Sequence, residues 1–226
     1  MVKVIEKIQD TKRIINSIDF DAHWYRRVFH TFGASFLIYY MLPTDIHWIN
    51  FLKSWIPIII VNIAIVLEVL RLKGKINSDY FFGLRVYEKN RVGSYVFFGV
   101  AILILLRFFP QQIAIPCILC ACIADPLMGE IRNRFGIKYV YIFGFVICML
   151  FFMISWYKAD IRLLLIASIF GAIGAVIGET KKFWWIDDDF MIQMVPAVML
   201  FIIWISIPYL GFNYPDPIIY QGVIGV

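Results

Sequence analysis

The sequence predicts an all-α membrane protein, a polytopic bundle of about seven transmembrane helices with its N-terminus in the cytoplasm. Of the 226 residues, 62% are hydrophobic and only 16% are charged, which is far too apolar for an ordinary soluble domain. The charges occur in clusters, and the apolar runs between them have roughly the 17–25 residues that a helix needs to cross a bilayer. The basic residues favour alternate junctions between these runs, as the positive-inside rule requires of a multi-pass protein.

Seven apolar runs account for most of the chain. The first and the fourth are short, so these two spans can be tilted, re-entrant or enclosed by their neighbours. The predicted spans lie near 28–43, 55–72, 92–109, 110–124, 138–157, 161–178 and 191–210.

The distribution of Lys and Arg sets the predicted topology. With the N-terminus inside, only four of the 21 basic residues fall on the outer side, which leaves 17 on the inner side. These four are Lys53, Arg107, Lys158 and Arg162. Cytoplasmic loops retain positive charge, so this topology is favoured, with the C-terminus outside.

The chain divides into three predicted regions. Residues 1–23 carry apolar residues near helical spacing with lysines between them, which predicts an interfacial amphipathic helix; a loosely ordered basic tail is the alternative. Residues 24–212 are predicted to form a single transmembrane domain, and residues 213–226 a C-terminal interfacial tail. No cleavable signal peptide is expected, because the first 27 residues lack a continuous apolar core.

The acidic residues share the inner side with most of the basic ones. Only Asp45, Asp160 and Asp216 of the 16 acids fall on the outer side, so 13 lie inward. An anchor for anionic lipid would need only the basic residues. Mixed charge is what a metal-bound polyphosphate requires, with carboxylates for the ion and Arg or Lys for the phosphate oxygens.

Two polar groups flank the first two spans. Arg26 and Arg27 precede His30 by four and three residues, so a helix places the three side chains on neighbouring rows, where they could bind phosphate. Anchoring of the span by two inner arginines explains them equally well. Glu68 and Arg71, near the inner end of the second span, are one helical turn apart and are best interpreted as a structural ion pair.

A third group lies between the fourth and fifth spans. Asp125 precedes a proline and could cap a helix that Gly136 ends. Capping does not explain why Glu130, Arg132 and Arg134 crowd into the same short segment, so a functional role is favoured.

A fourth group lies between the last two spans. Glu179 is followed by Lys181, Lys182, two tryptophans and three consecutive carboxylates at 187–189. Adjacent carboxylates repel one another and are costly unless they are solvated or neutralised by a cation. The tryptophans would hold this segment near the lipid headgroups, so a functional role is favoured over a plain acidic loop.

Other conspicuous residues are assigned to packing. The four cysteines, Cys117, Cys120, Cys122 and Cys148, lie in apolar spans without the histidines of a zinc site. Small residues from Gly171 to Gly178 form a face on the sixth span that allows a neighbouring helix to approach closely. The chain has none of the phosphate-binding or hydrolase motifs of the familiar soluble nucleotide and esterase folds.

The order of these groups resembles the family of dolichol kinases, phytol kinases and CTP-dependent diacylglycerol kinases. The similarity covers roughly residues 24–205, from the paired arginines and His30 to the proline of the last span. Its most specific pieces are Asp125 with Arg134-Phe135-Gly136, and Glu179 with Ile186-Asp187-Asp188 and Pro196. The third carboxylate, Asp189, stands where many members have Asn.

The resemblance implies an integral membrane kinase that uses CTP and Mg²⁺ to phosphorylate the hydroxyl of a lipid alcohol such as a dolichol or polyprenol. By position, the catalytic acids are Asp125, Glu179, Asp187 and Asp188, and the expected Mg²⁺ ligands are Asp125, Glu130, Asp187 and Asp188. The expected phosphate contacts are Arg26, His30, Arg132, Arg134, Lys181 and Lys182. The expected partners are CTP, the lipid substrate and the bilayer, with no nucleic acid.

Two other functions stay open. The same acids and basic residues could transfer a cytidylyl group to a lipid phosphate and make a CDP-activated lipid. A non-enzymatic lipid transporter or binding protein would be expected to carry polar residues deep in its spans, yet Glu68 is the only acid predicted well inside one. The expected location is the plasma membrane of a prokaryote or the endoplasmic reticulum of a eukaryote, with the site on the cytoplasmic face.

Overall fold

The computed structural model describes residues 27–81, 84, 86–180 and 186–219, and these residues form helices and no strand. We number the principal helices α1 to α7. Helix α1 comprises residues 27–33, a 3₁₀ turn at Ala34–Leu37 and a last α-helical turn at Ile38–Met41. The others are α2 (His47–Leu72), α3 (Ser94–Phe108), α4 (Gln111–Phe135), α5 (Ile137–Ser155), α6 (Ile161–Thr180) and α7 (Asp188–Ser206). Short 3₁₀ turns lie at Ser78–Tyr80, Val86–Asn90 and Pro208–Leu210.

Five of these helices are long and apolar enough to cross a membrane: α2, α4, α5, α6 and α7. Helix α3 is apolar but has only 15 residues, and the described part of α1 is equally short. The all-helical class predicted from the sequence is therefore confirmed, and the described residues contain five candidate membrane spans, whereas the sequence predicted about seven.

Helix α4 is the centre of the bundle. It packs against α3, α5 and α7 and against the 3₁₀ turn of α1. In its most apolar stretch 67% of the residues are buried, compared with 22% in α2. Helix α2 packs mainly on α3, so most of its apolar side chains lie on the outer surface, as expected for a helix that faces lipid.

The segment around Asp125 corrects one expectation. Asp125 was expected to cap a new helix, but the backbone continues through Cys120–Ala124 as a π-helical turn and no side-chain cap bond forms. Pro126 has no N–H and its ring would crowd the carbonyl four residues earlier in a regular helix, so a wider turn relieves both problems. The predicted fourth span and the charged segment are therefore one helix, which ends at Gly136 with φ +90° as expected.

Close contacts along α6 confirm its predicted small-residue face. A Cβ at Gly174 would lie 2.8 Å from the Pro196 Cα, and one at Gly171 would lie 2.8 Å from the ring of Phe152. Glycine is thus required where α6 meets both α5 and α7. The resulting contact holds the end of α6 beside the start of α7.

The C-terminal segment covers the opposite end of the bundle. The Gln112 Nε2 donates to the Pro215 carbonyl at 2.8 Å, and the Ile219 N–H donates to the Gln111 Oε1 at 2.9 Å. Described residues of the predicted tail therefore lie over the first turn of α4. The predicted N-terminal helix, residues 1–23, lies outside the described residues.

Candidate functional site

Polar side chains from four helices meet at one end of the bundle. His30 comes from α1, Asp125 from the middle of α4 and Glu179 from the last turn of α6. The three carboxylates at 187–189 come from the start of α7. Among the residues that the structure describes, two groups of possible metal ligands result, and within each group the ligand atoms lie within 4.8 Å of one another. One group is His30, Asp125 and Asp189, and the other is Asp187, Asp188 and Asp189.

The contact between α6 and α7 sets the distance between these acids. A Cβ at Gly178 would lie 2.4 Å from the Met191 carbonyl oxygen and 2.6 Å from its carbon. Only a residue without a side chain allows this backbone approach. It places Glu179 next to the acidic start of α7, although the two lie in different helices.

The Glu179 carboxylate is buried, with 4% of the residue exposed. Its Oε1 accepts a hydrogen bond from the Arg132 Nη2, which forms an ion pair between α6 and α4. Its carboxyl group is also near that of Asp125. Two ionised carboxylates that lie close together repel each other, and a cation between them would relieve that repulsion.

The start of α7 carries three carboxylates. The Asp187 Oδ1 accepts from the Asp189 N–H at 3.1 Å and caps the helix, whose positive N-terminal end favours negative charge. Burial, a hydrogen bond with Asp188 and the neighbouring charges of Asp189 and Asp188 nevertheless raise the pKa of Asp187 to about 9. Asp187 therefore holds a proton more readily than an exposed aspartate does, and a cation bound there would take the place of that proton.

His30 is held between α3, α4 and α7. Its Nδ1 lies 3.4 Å from the Ala121 carbonyl oxygen, which belongs to the π-helical turn. Its Nε2 lies 3.7 Å from the Asp189 Oδ2, and its ring meets the edge of Phe98 with centroids 5.0 Å apart. The imidazole is buried, with 4% of the residue exposed, and faces the carboxylates.

Glu130 occupies a different place from the other predicted metal ligands. It pairs with the Arg27 Nη2 at 2.5 Å and with the Arg134 Nε one turn along α4, and it belongs to neither group of possible ligands. Arg134 is largely exposed. These three residues form a charged rim beside the buried carboxylates, whereas Arg132 reaches into them.

Glu68 and Arg71 form a separate structural cluster. The Arg71 Nε and Nη2 each donate to the Glu68 carboxylate at 2.7 Å, and Arg71 also donates to the carbonyls of Glu88 and Lys89. The Glu68 carboxylate accepts from the Gly93 N–H and from the Tyr95 hydroxyl. These contacts fasten the segment between α2 and α3, as the predicted ion pair implies.

The structure adds one residue, Asp189, that the sequence argument did not assign to the site. Asp189 was set aside as a departure from a family pattern, yet it belongs to both ligand groups and is only 2% exposed. Its spacing to the buried Ile192 and Gln193, three and four residues on, was the available signal, because it puts Asp189 on the inward face of α7. Arg26, Lys181 and Lys182 lie outside the described residues. The four cysteines are buried thiols, in keeping with packing roles.

Comparisons of the chain with protein-family models, curated proteins and solved structures find no match. The functional argument therefore depends on the chemistry of the site.

Proposed function

We propose that the protein is a multi-pass membrane enzyme that transfers the terminal phosphate of CTP to the hydroxyl of a membrane lipid alcohol, with Mg²⁺ as cofactor. The observation that supports it is the convergence of Asp125, Glu179 and the carboxylates at 187–189 at one end of an apolar helical bundle. A polar, acid-lined site at that position can meet a soluble nucleotide on one side and a lipid headgroup on the other.

The donor set fits a divalent cation. Carboxylate oxygens are the ligands that Mg²⁺ prefers, and adjacent buried carboxylates without a counter-ion are mutually repulsive. The raised pKa of Asp187 reflects that repulsion together with burial. Bound there, Mg²⁺ would neutralise negative charge on the transferring phosphate.

Each side chain then has a specific part. Asp187 and Asp188 would hold the cation at the start of α7, and Asp125 on α4 lies close to their neighbour Asp189. Arg132, whose side chain is 38% exposed, is able to contact a phosphate oxygen while it remains paired with Glu179. Glu179 accepts a hydrogen bond in that pair and is the buried acid available to orient or deprotonate the lipid hydroxyl.

The proposed topology completes the function. The chain would cross the membrane seven times if α1 and α3 also span it, with the N-terminus inside. The ends that carry Arg27, Arg71 and Arg132 would then face the cytoplasm, where CTP is available and where basic residues are retained. The lipid tail would stay in the bilayer while its hydroxyl reaches the carboxylates.

The test is a transfer assay with CTP labelled separately at the terminal and innermost phosphates. Purified protein in lipid-detergent micelles, with Mg²⁺ and a pool of lipid alcohols and lipid phosphates, should move the terminal label into the organic phase. Asp187→Asn should lower that transfer by about two orders of magnitude or more, as expected when a group that stabilises transition-state charge is lost. The matched control, Asp45→Asn, changes an exposed acid outside the site and should retain wild-type transfer.

Other outcomes are informative. Innermost label in the lipid would identify cytidylyl transfer in place of phosphoryl transfer. Full turnover of Asp187→Asn would refute the assigned role of the α7 carboxylates. Transfer of neither label by folded protein would refute both enzymatic functions for the lipids in the pool and favour a non-enzymatic lipid-binding role.

A further inference from the structure

We propose that His30, Asp125 and Asp189 form a second cation site beside that of the three α7 carboxylates, with Asp189 shared between the two, and that this second site takes a transition-metal ion such as Mn²⁺ or Fe²⁺. The inference deepens the proposed function, because it assigns His30 to metal binding in place of phosphate contact. It concerns the metal occupancy of the site and can be tested without turnover.

The spacing of the three side chains fits an ion between them. Metal–ligand bonds of about 2.0–2.2 Å place two ligands of one ion up to about 4 Å apart. The candidate ligand atoms of His30, Asp125 and Asp189 all lie within 4.8 Å of one another, so side-chain shifts of less than about 1 Å would bring them into this range. The 3.7 Å between the His30 Nε2 and the Asp189 Oδ2 exceeds a hydrogen-bond length but matches two neighbouring ligands.

The orientation of the His30 ring also supports a metal site. A carbonyl oxygen only accepts, so the contact between the His30 Nδ1 and the Ala121 carbonyl at 3.4 Å is a hydrogen bond in the tautomer that carries its proton on Nδ1. In that tautomer the Nε2 carries the lone pair and faces the Asp189 Oδ2 at 3.7 Å. A backbone carbonyl that holds the other ring nitrogen is the usual arrangement around a histidine that binds a metal.

An independent observation comes from Glu179. Its Oε2 is buried, and among the residues that the structure describes no hydrogen-bond donor reaches it. The same carboxyl group approaches that of Asp125, a member of the proposed site. A buried acceptor without a donor is costly, and a cation held by Asp125 would compensate it.

The donor types indicate the kind of ion. Imidazole is a good ligand for Fe, Zn and related ions, whereas carboxylates also suit Mn²⁺ and Mg²⁺. One imidazole with two carboxylates therefore favours Mn²⁺ or Fe²⁺ over Mg²⁺. The neighbouring site has only carboxylates and suits Mg²⁺. Paired cations of this kind are used in phosphate chemistry to stabilise the attacking and leaving oxygens.

Mn²⁺ binding to the full-length protein, without nucleotide or lipid, tests the proposal. Titration followed by electron paramagnetic resonance should find two Mn²⁺ ions per chain, and pulsed measurements should detect coupling of one ion to an imidazole nitrogen. Mg²⁺ should displace only the ion without this coupling. In protein labelled with ¹⁵N-histidine, the coupling to Mn²⁺ should be that of ¹⁵N in place of ¹⁴N.

Two variants separate the sites. His30→Gln should bind one Mn²⁺ and lose the nitrogen coupling, whereas Asp188→Asn should bind one and keep it. Absence of nitrogen coupling in the wild type would overturn the proposal, and this measurement does not depend on a variant folding. Coupling that persists in His30→Gln would also overturn it. The transfer reaction is tested by its own assay. A protein that does not turn over CTP can still bind two Mn²⁺ ions, so failure of the proposed function is distinguishable from failure of the second cation site.

Discussion

The close contact between α6 and α7 at Gly178 yields a quantitative prediction. In Gly178→Ala the new Cβ would lie 2.4 Å from the Met191 carbonyl oxygen, whereas ordinary contact begins at 3.4 Å. The obstructing atoms belong to the backbone, so no side-chain rotation relieves the overlap. Helices α6 and α7 must therefore move apart locally by about 1 Å, the difference between these two distances.

The displacement should affect both stability and metal binding. Overpacking of this kind costs about 1–3 kcal/mol. For a chain of this size each kcal/mol lowers Tm by about 2–4 °C. Metal ligands tolerate deviations of only about 0.2 Å, so a larger shift of Asp189 on α7 relative to His30 and Asp125 should weaken Mn²⁺ binding by about 10–100-fold.

The assay combines thermal unfolding in detergent with Mn²⁺ titration. Gly99→Ala in α3 is the matched control, because its Cβ would meet only the Val61 side chain at an ordinary 3.6 Å. The control should keep wild-type Mn²⁺ affinity, with Tm unchanged or slightly raised by the better helix propensity of Ala. If Gly178→Ala behaved like Gly99→Ala in both measurements, the argument that this contact sets the site geometry would be refuted.

Three further predictions concern charged residues. The pKa of Asp187 is about 9 in the folded chain against an ordinary 3.8, so the folded state keeps a proton that the unfolded chain releases. Metal-free protein should therefore lose stability as pH rises from about 4 to 9. Over the same pH range, Tm measured in EDTA should fall less in Asp187→Asn than in the wild type. Glu68→Gln leaves the buried Arg71 without its counter-ion and should cost about 3–5 kcal/mol in thermal unfolding, while the number of bound Mn²⁺ ions is unchanged. Glu130→Gln should leave both Mn²⁺ ions bound, because Glu130 lies on the rim and outside both groups of ligands. Loss of one ion in the titration would show that Glu130 is a metal ligand after all.

Much of the site was visible in the sequence because the bilayer restricts where charge can lie. Asp125, Glu179 and the carboxylates at 187–189 interrupt apolar runs at junctions that alternate along the chain, which predicts that they share one end of the bundle. The structure brings these residues together. The small-residue face of α6 was equally visible and provides the helix contact that the close approach requires.

The backbone path around Asp125 was harder to predict. Its sequence matches a capping signal followed by proline, and that local pattern indicated a new helix. The structure instead continues α4 through a π-helical turn before the proline, within a helix that packs against α3, α5 and α7. The same turn supplies the Ala121 carbonyl that faces His30.

The sequence by itself determined that this chain is helical, with apolar helices long enough to span a membrane. The length of each apolar run and the position of each charge are fixed by the sequence, and the thickness of the bilayer core selects runs that are long enough to span it. Only the tertiary structure decided which carboxylates are neighbours. Asp189 rather than Glu130 faces His30 and Asp125 because the direction of α7 and its contact with α6 select one of three adjacent acids to point inward. That choice depends on helix packing between distant segments, which local sequence patterns do not encode.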